Sequence, residues 1–313
     1  MTGPGDPAGG ARGRSLRRTS RLTQQEADAV RAAVAEAAAE DGVEPIGDGP
    51  MRSLAGGEGV RHLLVNDESG RLLAYANVDA PKTPRAMVEA FVVPGERGRG
   101  IASALLHAAT AEAGSQGRIW AHGDGAAARA VAERMDMDVR RELLQLARRL
   151  DAPALPESRV PEGVTIRRFR EGDEAELLRV NNAAFAWHPE QGGWAAEDFN
   201  EQRAQPWFDP DGIFLAYDDA DPDTLLGFHW TKVHPAQGGV PAVGEVYVLG
   251  VDPAAQGRRL GTALTVAGLE HLRDAGLGEV ILYVEGDNTA ALTTYTRLGF
   301  ARSRADVAYG WSD

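Results

Sequence analysis

The sequence predicts two α/β domains of one fold in tandem, each a mixed, mostly antiparallel sheet flanked by helices. Three observations predict it. A Gly/Arg-rich turn between a strand-like run and an Ala/Leu-rich helix occurs twice. A polar stretch at 151–161 carries Pro153, Pro156 and Pro161 and resists continuation of helix or sheet. Beyond it the order of short strands and helices starts again. The expected layout is a disordered basic tail at 1–21, a domain at 22–150, a linker at 151–161 and a domain at 162–313.

The elements follow in order. The tail is rich in Gly, Pro and Arg and has no apolar segment, so it does not read as a secretory signal. Thr23 followed by Glu26 has the pattern of a capping box and opens a helix that runs to about residue 41. Strands are expected at 61–65, 72–78 and 87–93, then a helix at 100–113. A strand at 119–121, a helix at 126–134 and a strand at 139–147 complete the first domain. After the linker come a strand at 164–169, a helix at 173–185 and strands at 213–217, 225–233 and 244–251. A long helix at 260–275, a strand at 280–284, a helix at 289–298 and a strand at 303–309 end the chain.

Superposing the two turns tests the repeat. Arg97-Gly98-Arg99-Gly100-Ile101-Ala102 lies over Gln256-Gly257-Arg258-Arg259-Leu260-Gly261 at an offset of 159. Gly123-Asp124 then lies over Gly286-Asp287, and Arg134-Met135 over Arg297-Leu298, at an offset of 163. A fold duplicated and diverged explains this pattern.

Hydrophobic residues make up 43% of the 313, enough to bury an ordinary core. Acidic residues outnumber basic ones by 46 to 33, a net charge of -13. That balance argues against nucleic acid or an anionic membrane as partner. The sequence has no cysteine, which removes disulfides, thiolate metal sites and cysteine nucleophiles. No apolar run reaches 18 residues, and no His/Asp/Glu cluster has metal-ligand spacing. A cytoplasmic monomer without metal is expected.

Each turn has a physical task. A helix begins where glycines and arginines follow a strand, and its first amides point outward without partners. Those amides and the helix dipole attract an anion, and glycine lets a phosphate approach the backbone closely. A bare strand-to-helix turn would use the same glycines for geometry alone. The repetition of the loop, each time followed by a strand and another helix, favours phosphate binding.

At this point the residues resemble the GNAT acetyltransferase family. Its coenzyme A loop has the pattern Gln/Arg-x-x-Gly-x-Gly/Ala. Residues Arg97 to Ala102 fit it fully, while in Gln256 to Gly261 the residue Arg259 replaces a glycine. A second signature runs from Asn288 through Tyr295 to Gly299-Phe300. Asn288 suits a helix N-cap and Gly299 the left-handed residue after a helix end. The resemblance implies acetyl-CoA as cosubstrate. It places the cofactor on Ala90, Phe91, Val92, Gly98, Arg99, Gly100, Ile101, Ala102 and Ser103 in the first domain. In the second it implies Leu249, Gly250, Val251, Gln256, Gly257, Arg258, Arg259, Leu260, Gly261 and Thr262, with Asn288, Thr289, Ala290, Ala291, Leu292 and Thr293.

A closer likeness is to the mycothiol synthase family. It rests on the run from Val180 to Trp194, which includes His188-Pro189-Glu190-Gln191-Gly192-Gly193, and on the segments Gly227 to Pro235 and Gly244 to Pro253. The resemblance covers nearly the whole chain after the tail. It implies transfer of acetyl to the cysteinyl amine of Cys-GlcN-Ins, a small aminothiol glycoside, in the last step of mycothiol synthesis.

The reaction needs few groups. An amine arriving as ammonium must lose a proton, and the thioester oxygen needs hydrogen-bond donors as negative charge develops. Period-2 alternation puts Glu245, Tyr247, Leu249 and Val251 on one strand face. The resemblance makes Glu245 the base and a substrate ligand, and Tyr295 the acid for the thiolate. It adds Glu190, Lys232 and Tyr283 as substrate ligands, with Asp48 closing the site from the other domain. His122, His188 and His234 read as structural or solvated histidines. In the first domain Ala132 stands at the place of Tyr295, Gly125 at that of Asn288, and Ala86 opposite Glu245. Binding without turnover is expected there. Two other readings stay open: an acetyltransferase for another small amine or a peptide N-terminus, and a non-catalytic acetyl-CoA-binding module.

Overall fold

The computed structural model describes residues 13–157, 159–186, 191–236 and 239–311. In chain order the first elements are β1 (Arg14–Thr19), α1 (Gln24–Asp41), α2 (Asp48–Ser53), β2 (Val60–Asp67), β3 (Leu72–Asp79) and β4 (Met87–Val92). Next come α3 (Ile101–Ala113), β5 (Arg118–Ala121), α4 (Ala126–Arg134), β6 (Asp138–Arg149), β7 (Val164–Arg168) and α5 (Glu174–Ala184). Then follow α6 (Ala196–Arg203), β8 (Ile213–Asp218), β9 (Leu225–His234), β10 (Val243–Val251), α7 (Leu260–Asp274), β11 (Glu279–Glu285), α8 (Thr289–Arg297) and β12 (Ala301–Gly310). Every strand and helix expected from the sequence has its counterpart. Thr23 caps α1 with both halves of the capping box in place, a device worth about 1 kcal/mol.

The chain divides into two compact units. Unit 1 holds the residues up to Leu143 together with those from Arg304 on, and unit 2 holds Leu144–Ser303. Unit 1 orders its strands β1-β2-β3-β4-β5-β12, and unit 2 orders them β6-β11-β10-β9-β8-β7. The pairs β4/β5 and β10/β11 are parallel, and the outer pairs are antiparallel. Each sheet buries both faces, because neighbours along a strand point to opposite sides. In unit 1, Leu63, Ala76 and Val88 pack with Leu105 and Ala109 of α3, while Leu64, Tyr75 and Phe91 pack with Val30 and Val34 of α1. In unit 2, Leu215, Phe228 and Trp230 pack with Leu177 of α5 and Phe199 of α6, while Phe214 and Leu226 pack with Leu260 and Leu264 of α7.

Two expectations change. Arg14–Thr19, assigned to the disordered tail, is an edge strand in register with β2 from Arg14↔Asp67 to Thr19↔His62. Arg17 also pairs with Glu26 at 2.7 Å. An edge strand protected by arginines has the composition of a solvated tail, so its sequence conceals it. The last strand also changes place, because from Arg304 on it belongs to unit 1. Val307 pairs with Ala121 and Tyr309 with Ile119. The Tyr309 hydroxyl donates to Asp124 at 2.6 Å, and Trp311 Nε1 donates to Met135 O at 2.9 Å. Non-local pairing, which a linear reading of a duplicated chain does not carry, decides this boundary. The short helices α2 and α6 were not expected either.

Candidate functional site

Both units break their parallel ladder at the same stage. In unit 1 the pairs are Met87↔Arg118, Val88↔Ile119 and Glu89↔Trp120. In unit 2 they are Gly244↔Val280, Glu245↔Ile281 and Val246↔Leu282. Through Ala90-Phe91-Val92 and Leu249-Gly250-Val251 the strands β4 and β10 then keep only their antiparallel partners, β3 and β9, and leave the other edge open as they run to the glycine loops. Backbone groups on that open edge are free to meet an extended ligand.

In unit 1 a cavity of about 650 Å³ fills the gap, a size typical of small-molecule sites. Ala90, Phe91 and Val92 line one side, and Gly98, Gly100, Ile101, Ala102 and Ser103 the loop. Gly98 and Gly100 have φ of +73° and +76°, which turns the chain into α3. The side chain of Ser103 is buried there without a hydrogen-bond partner among the described residues, a donor that a bound ligand would use. Charge on the loop arginines is already engaged. Arg97 holds Asp41 with two bonds of 2.7 Å, and Arg99 holds Glu96 at 2.8 Å and does not line the cavity. What the loop offers an anion is therefore the amides at the start of α3 and the helix dipole. These features fit the pyrophosphate and pantetheine arm of coenzyme A.

The unit 2 loop keeps the same backbone. Gly257 has φ of +78° and Arg259 +64°, so Arg259 adopts the left-handed conformation that Gly100 adopts in unit 1. For a residue with a Cβ this costs about 1 kcal/mol. The departure from the glycine pattern thus leaves the shape of the turn intact. Asn288 caps α8 by accepting from Ala291 N at 3.1 Å, and the first turn of α8 is exposed or half-buried.

Glu245 is buried on β10, 7% exposed. Its face differs from the one alternation predicts. The register of β10 against β9 shifts between Val246 and Val248, so Tyr247 is an extra residue. A bulge reverses alternation beyond it. Tyr247 and Val248 pack in the cluster with Trp230 and Phe199, whereas Leu249 and Val251 pack with Leu260 and Leu264 of α7. Glu245 therefore does not share a face with Leu249 and Val251. Bulges of this kind re-aim side chains beside functional sites.

Two neighbours of Glu245 define its chemistry. His234 Nε2 lies 2.6 Å from Glu245 Oε2, so His234 is tied to the carboxylate rather than merely solvated. Lys232 is the direct cross-strand partner of Glu245. Its ammonium instead lies 4.6 Å from the centre of the Trp207 ring and 5.1 Å from that of Tyr247. Tyr247 is fixed by donating to Gln202 Oε1 at 3.1 Å.

The remaining predicted residues are distributed as follows. Tyr283 on β11 is 42% exposed, and its hydroxyl accepts from Gln145 Nε2 at 2.8 Å. Tyr295 on α8 is buried against Phe300, and burial raises its pKa well above the ordinary phenol value. Glu190 and His188 lie outside the described residues. Residues beside them are held by α5: Asn181 donates to Gln191 O and Asn182 to Trp194 O, both at 2.8 Å. Asp48 opens α2 in unit 1 and is exposed.

Unit 1 fills the corresponding places differently. β4 pairs with β3 without a register shift. Counting back from the loop with the extra residue removed puts Met87, rather than Ala86, at the place of Glu245. Helices α4 and α8 begin at Ala126 and Thr289, which keeps the offset of 163 and sets buried Ala132 against Tyr295. A carboxylate missed in the sequence, Glu89, accepts from Gly47 N at 2.6 Å and from His122 Nε2 at 2.7 Å. Nδ1 of His122 faces Asp306 at 3.5 Å. Burial opposes the charge on His122, but its bonds to Asp306 and Glu89 outweigh burial and raise its pKa to about 9.

The acetyltransferase (GNAT) family matches residues 31–137 and again 180–300. The mycothiol acetyltransferase of Nocardia farcinica (strain IFM 10152) is 55% identical over 297 residues, 94% of this chain and 97% of that protein. That of Rhodococcus erythropolis (strain PR4 / NBRC 100887) is 51% identical over 93% of this chain and 98% of its own. Among solved structures, a GCN5-related N-acetyltransferase from Sphaerobacter thermophilus superposes with a TM-score of 0.67 at 23% identity, covering 94% of each chain. A tandem GNAT protein from the clavulanic acid biosynthesis pathway gives 0.65 at 21%, covering 96% of this chain and 100% of that one. These two share the fold. Among the described residues no helix is long and apolar enough to cross a membrane.

Proposed function

The chain belongs to the mycothiol acetyltransferases of the GNAT family, and from that premise we infer that unit 2 carries the reaction. The protein is an acetyl-CoA-dependent N-acetyltransferase of mycothiol biosynthesis. The acceptor assigned here is the cysteinyl amine of Cys-GlcN-Ins. The observation that carries the reading is Glu245, a buried carboxylate on a bulged strand four residues before the open edge at Leu249.

Glu245 takes a proton from the acceptor ammonium, directly or through water, which frees the nitrogen lone pair. Backbone donors at 249–251 face the thioester oxygen as it gains negative charge. Tyr295, kept protonated by burial, supplies a proton to the departing sulfur. Lys232, Tyr283 and Glu190 bind the hydroxyl-rich acceptor. The loop from Gln256 to Thr262 and the start of α8 hold the coenzyme. Unit 1 holds acetyl-CoA without turnover, a reading supported by its cavity and by Met87 and Ala132 at the places of the base and the acid.

Mass spectrometry of the product tests the acceptor. With acetyl-CoA and Cys-GlcN-Ins the expected product carries one acetyl group on the cysteinyl nitrogen. Acetylation of other amines, with Cys-GlcN-Ins left unchanged, would overturn this assignment.

A further inference from the structure

We propose that His234 positions Glu245 and relays protons between that carboxylate and solvent during acetyl transfer. The proposal rests on the reading of Glu245 as the base and deepens it. Glu245 is enclosed, its side chain 9% exposed, while that of His234 is 43% exposed. The imidazole spans the distance between them with one contact of 2.6 Å. It reaches the carboxylate from the neighbouring position on β9, for His234 itself stands opposite Val243.

The surroundings favour a relay over a static ion pair. Lys232 faces Glu245 in register but gives its charge to the Trp207 and Tyr247 rings, leaving the carboxylate to the imidazole. A lysine paired with Glu245 would stay charged through the working range and oppose proton uptake. An imidazole can take a proton at one ring nitrogen and release one from the other. Lys232 and Tyr247 are the other titratable groups about the pair on β9 and β10. Unit 1 supplies the contrast. There His122 lies between two carboxylates, Glu89 and Asp306, which hold its proton. His234 has a carboxylate on one nitrogen only, and its Nδ1 has no hydrogen bond among the described residues.

The protons balance. One leaves the acceptor ammonium for Glu245 and passes to Nε2 of His234 in its Nδ1–H form, as Nδ1 gives its proton to water; between turnovers Nδ1 takes a proton from water and Nε2 releases one, which restores that form. The neutral nitrogen forms the C–N bond as the C–S bond breaks. A second nitrogen proton is balanced by the one delivered to the departing sulfur, and the third stays on the amide. Each turnover therefore sends one proton to solvent, and the imidazole is its exit.

The test uses the full-length protein, acetyl-CoA and Cys-GlcN-Ins, with thiol release followed across pH 6 to 9 in dilute buffer. His234→Gln keeps a donor for Glu245 but cannot titrate. The expected result is a fall in kcat of about tenfold or more at neutral pH, with the acceptor KM unchanged. The kcat–pH profile should change shape, and added imidazole should restore kcat in His234→Ala. If the alanine variant fails to fold, the glutamine variant decides. A wild-type kcat and pH profile in His234→Gln, or a loss confined to KM, overturns the relay. Glu245→Gln run in parallel separates the two readings. Its collapse beside an unaffected His234→Gln would remove the relay alone, whereas wild-type turnover by Glu245→Gln would remove the base as well.

Discussion

Unit 1 and unit 2 part their parallel strands at the same stage and enter the same left-handed loop, but they employ their carboxylates in opposite ways. Glu89 of unit 1 accepts from a backbone amide and from a histidine that a second carboxylate holds protonated. Glu245 of unit 2 meets the His234 imidazole and, among the described residues, accepts from no backbone amide. The first arrangement ties the carboxylate to a backbone amide and a histidine, and the second holds it by one imidazole contact. The shape of the loop and the open strand edge survive the divergence of a duplicated fold, because they are set by the backbone. The proposed reaction chemistry depends on single side chains, and there the units differ: Glu245 against Met87, Tyr295 against Ala132, a bulge in β10 and none in β4.

The larger of two stability effects sharpens this comparison. If Glu89, His122 and Asp306 serve structure, their worth must appear in unfolding. The pKa of His122 is raised to about 9 from an ordinary 6.5, so its protonated form stabilises the fold. That contribution is complete below pH 6.5 and is lost as the pH rises through 9. It is on the order of 3 kcal/mol, and the three side chains are exposed by no more than 15%, so solvent screens it little. Urea unfolding of wild type and His122→Gln should show the gap between them wide at pH 6 and nearly closed at pH 9.5. A gap independent of pH would contradict the assignment.

The smaller effect concerns the loops. Arg259→Gly makes the unit 2 loop resemble that of unit 1 at Gly100. Removing the Cβ from a residue at φ +64° should stabilise the protein by up to about 1 kcal/mol. Tm would rise by about 2 to 4 °C. A lower Tm would instead mean that the Arg259 side chain holds the loop.

Local rules made much of the fold readable in the sequence. The capping box at Thr23, the α4 and α8 boundaries and the repeated loop all follow from patterns within a few residues. What the sequence hid depends on pairing between distant segments. The arginine-rich β1 has the composition of a tail until β2 pairs with it. The last strand looks like the end of the second domain until Asp306 meets His122 and Gly123 N. The extra residue at Tyr247 has no local signature, yet it separates the face of Glu245 from that of Leu249. For the same reason the sequence marks His234 only as a structural or solvated histidine, since its contact with Glu245 exists only across two paired strands. Resemblance points to Glu245, Lys232, Tyr283 and Tyr295, while the contact of Glu245 with His234 and the ring cage about Lys232 are visible only in the packing.

The central claim is that acetyl transfer is carried out at Glu245 in unit 2. Its most direct test is acceptor-dependent thiol release from acetyl-CoA by wild type and Glu245→Gln, with acetyl-CoA binding measured on the same samples. Loss of a positioned general base predicts a fall in kcat of about 10²- to 10⁴-fold, with binding retained. Release at the wild-type rate by Glu245→Gln would contradict the account and move the search for the chemistry to unit 1.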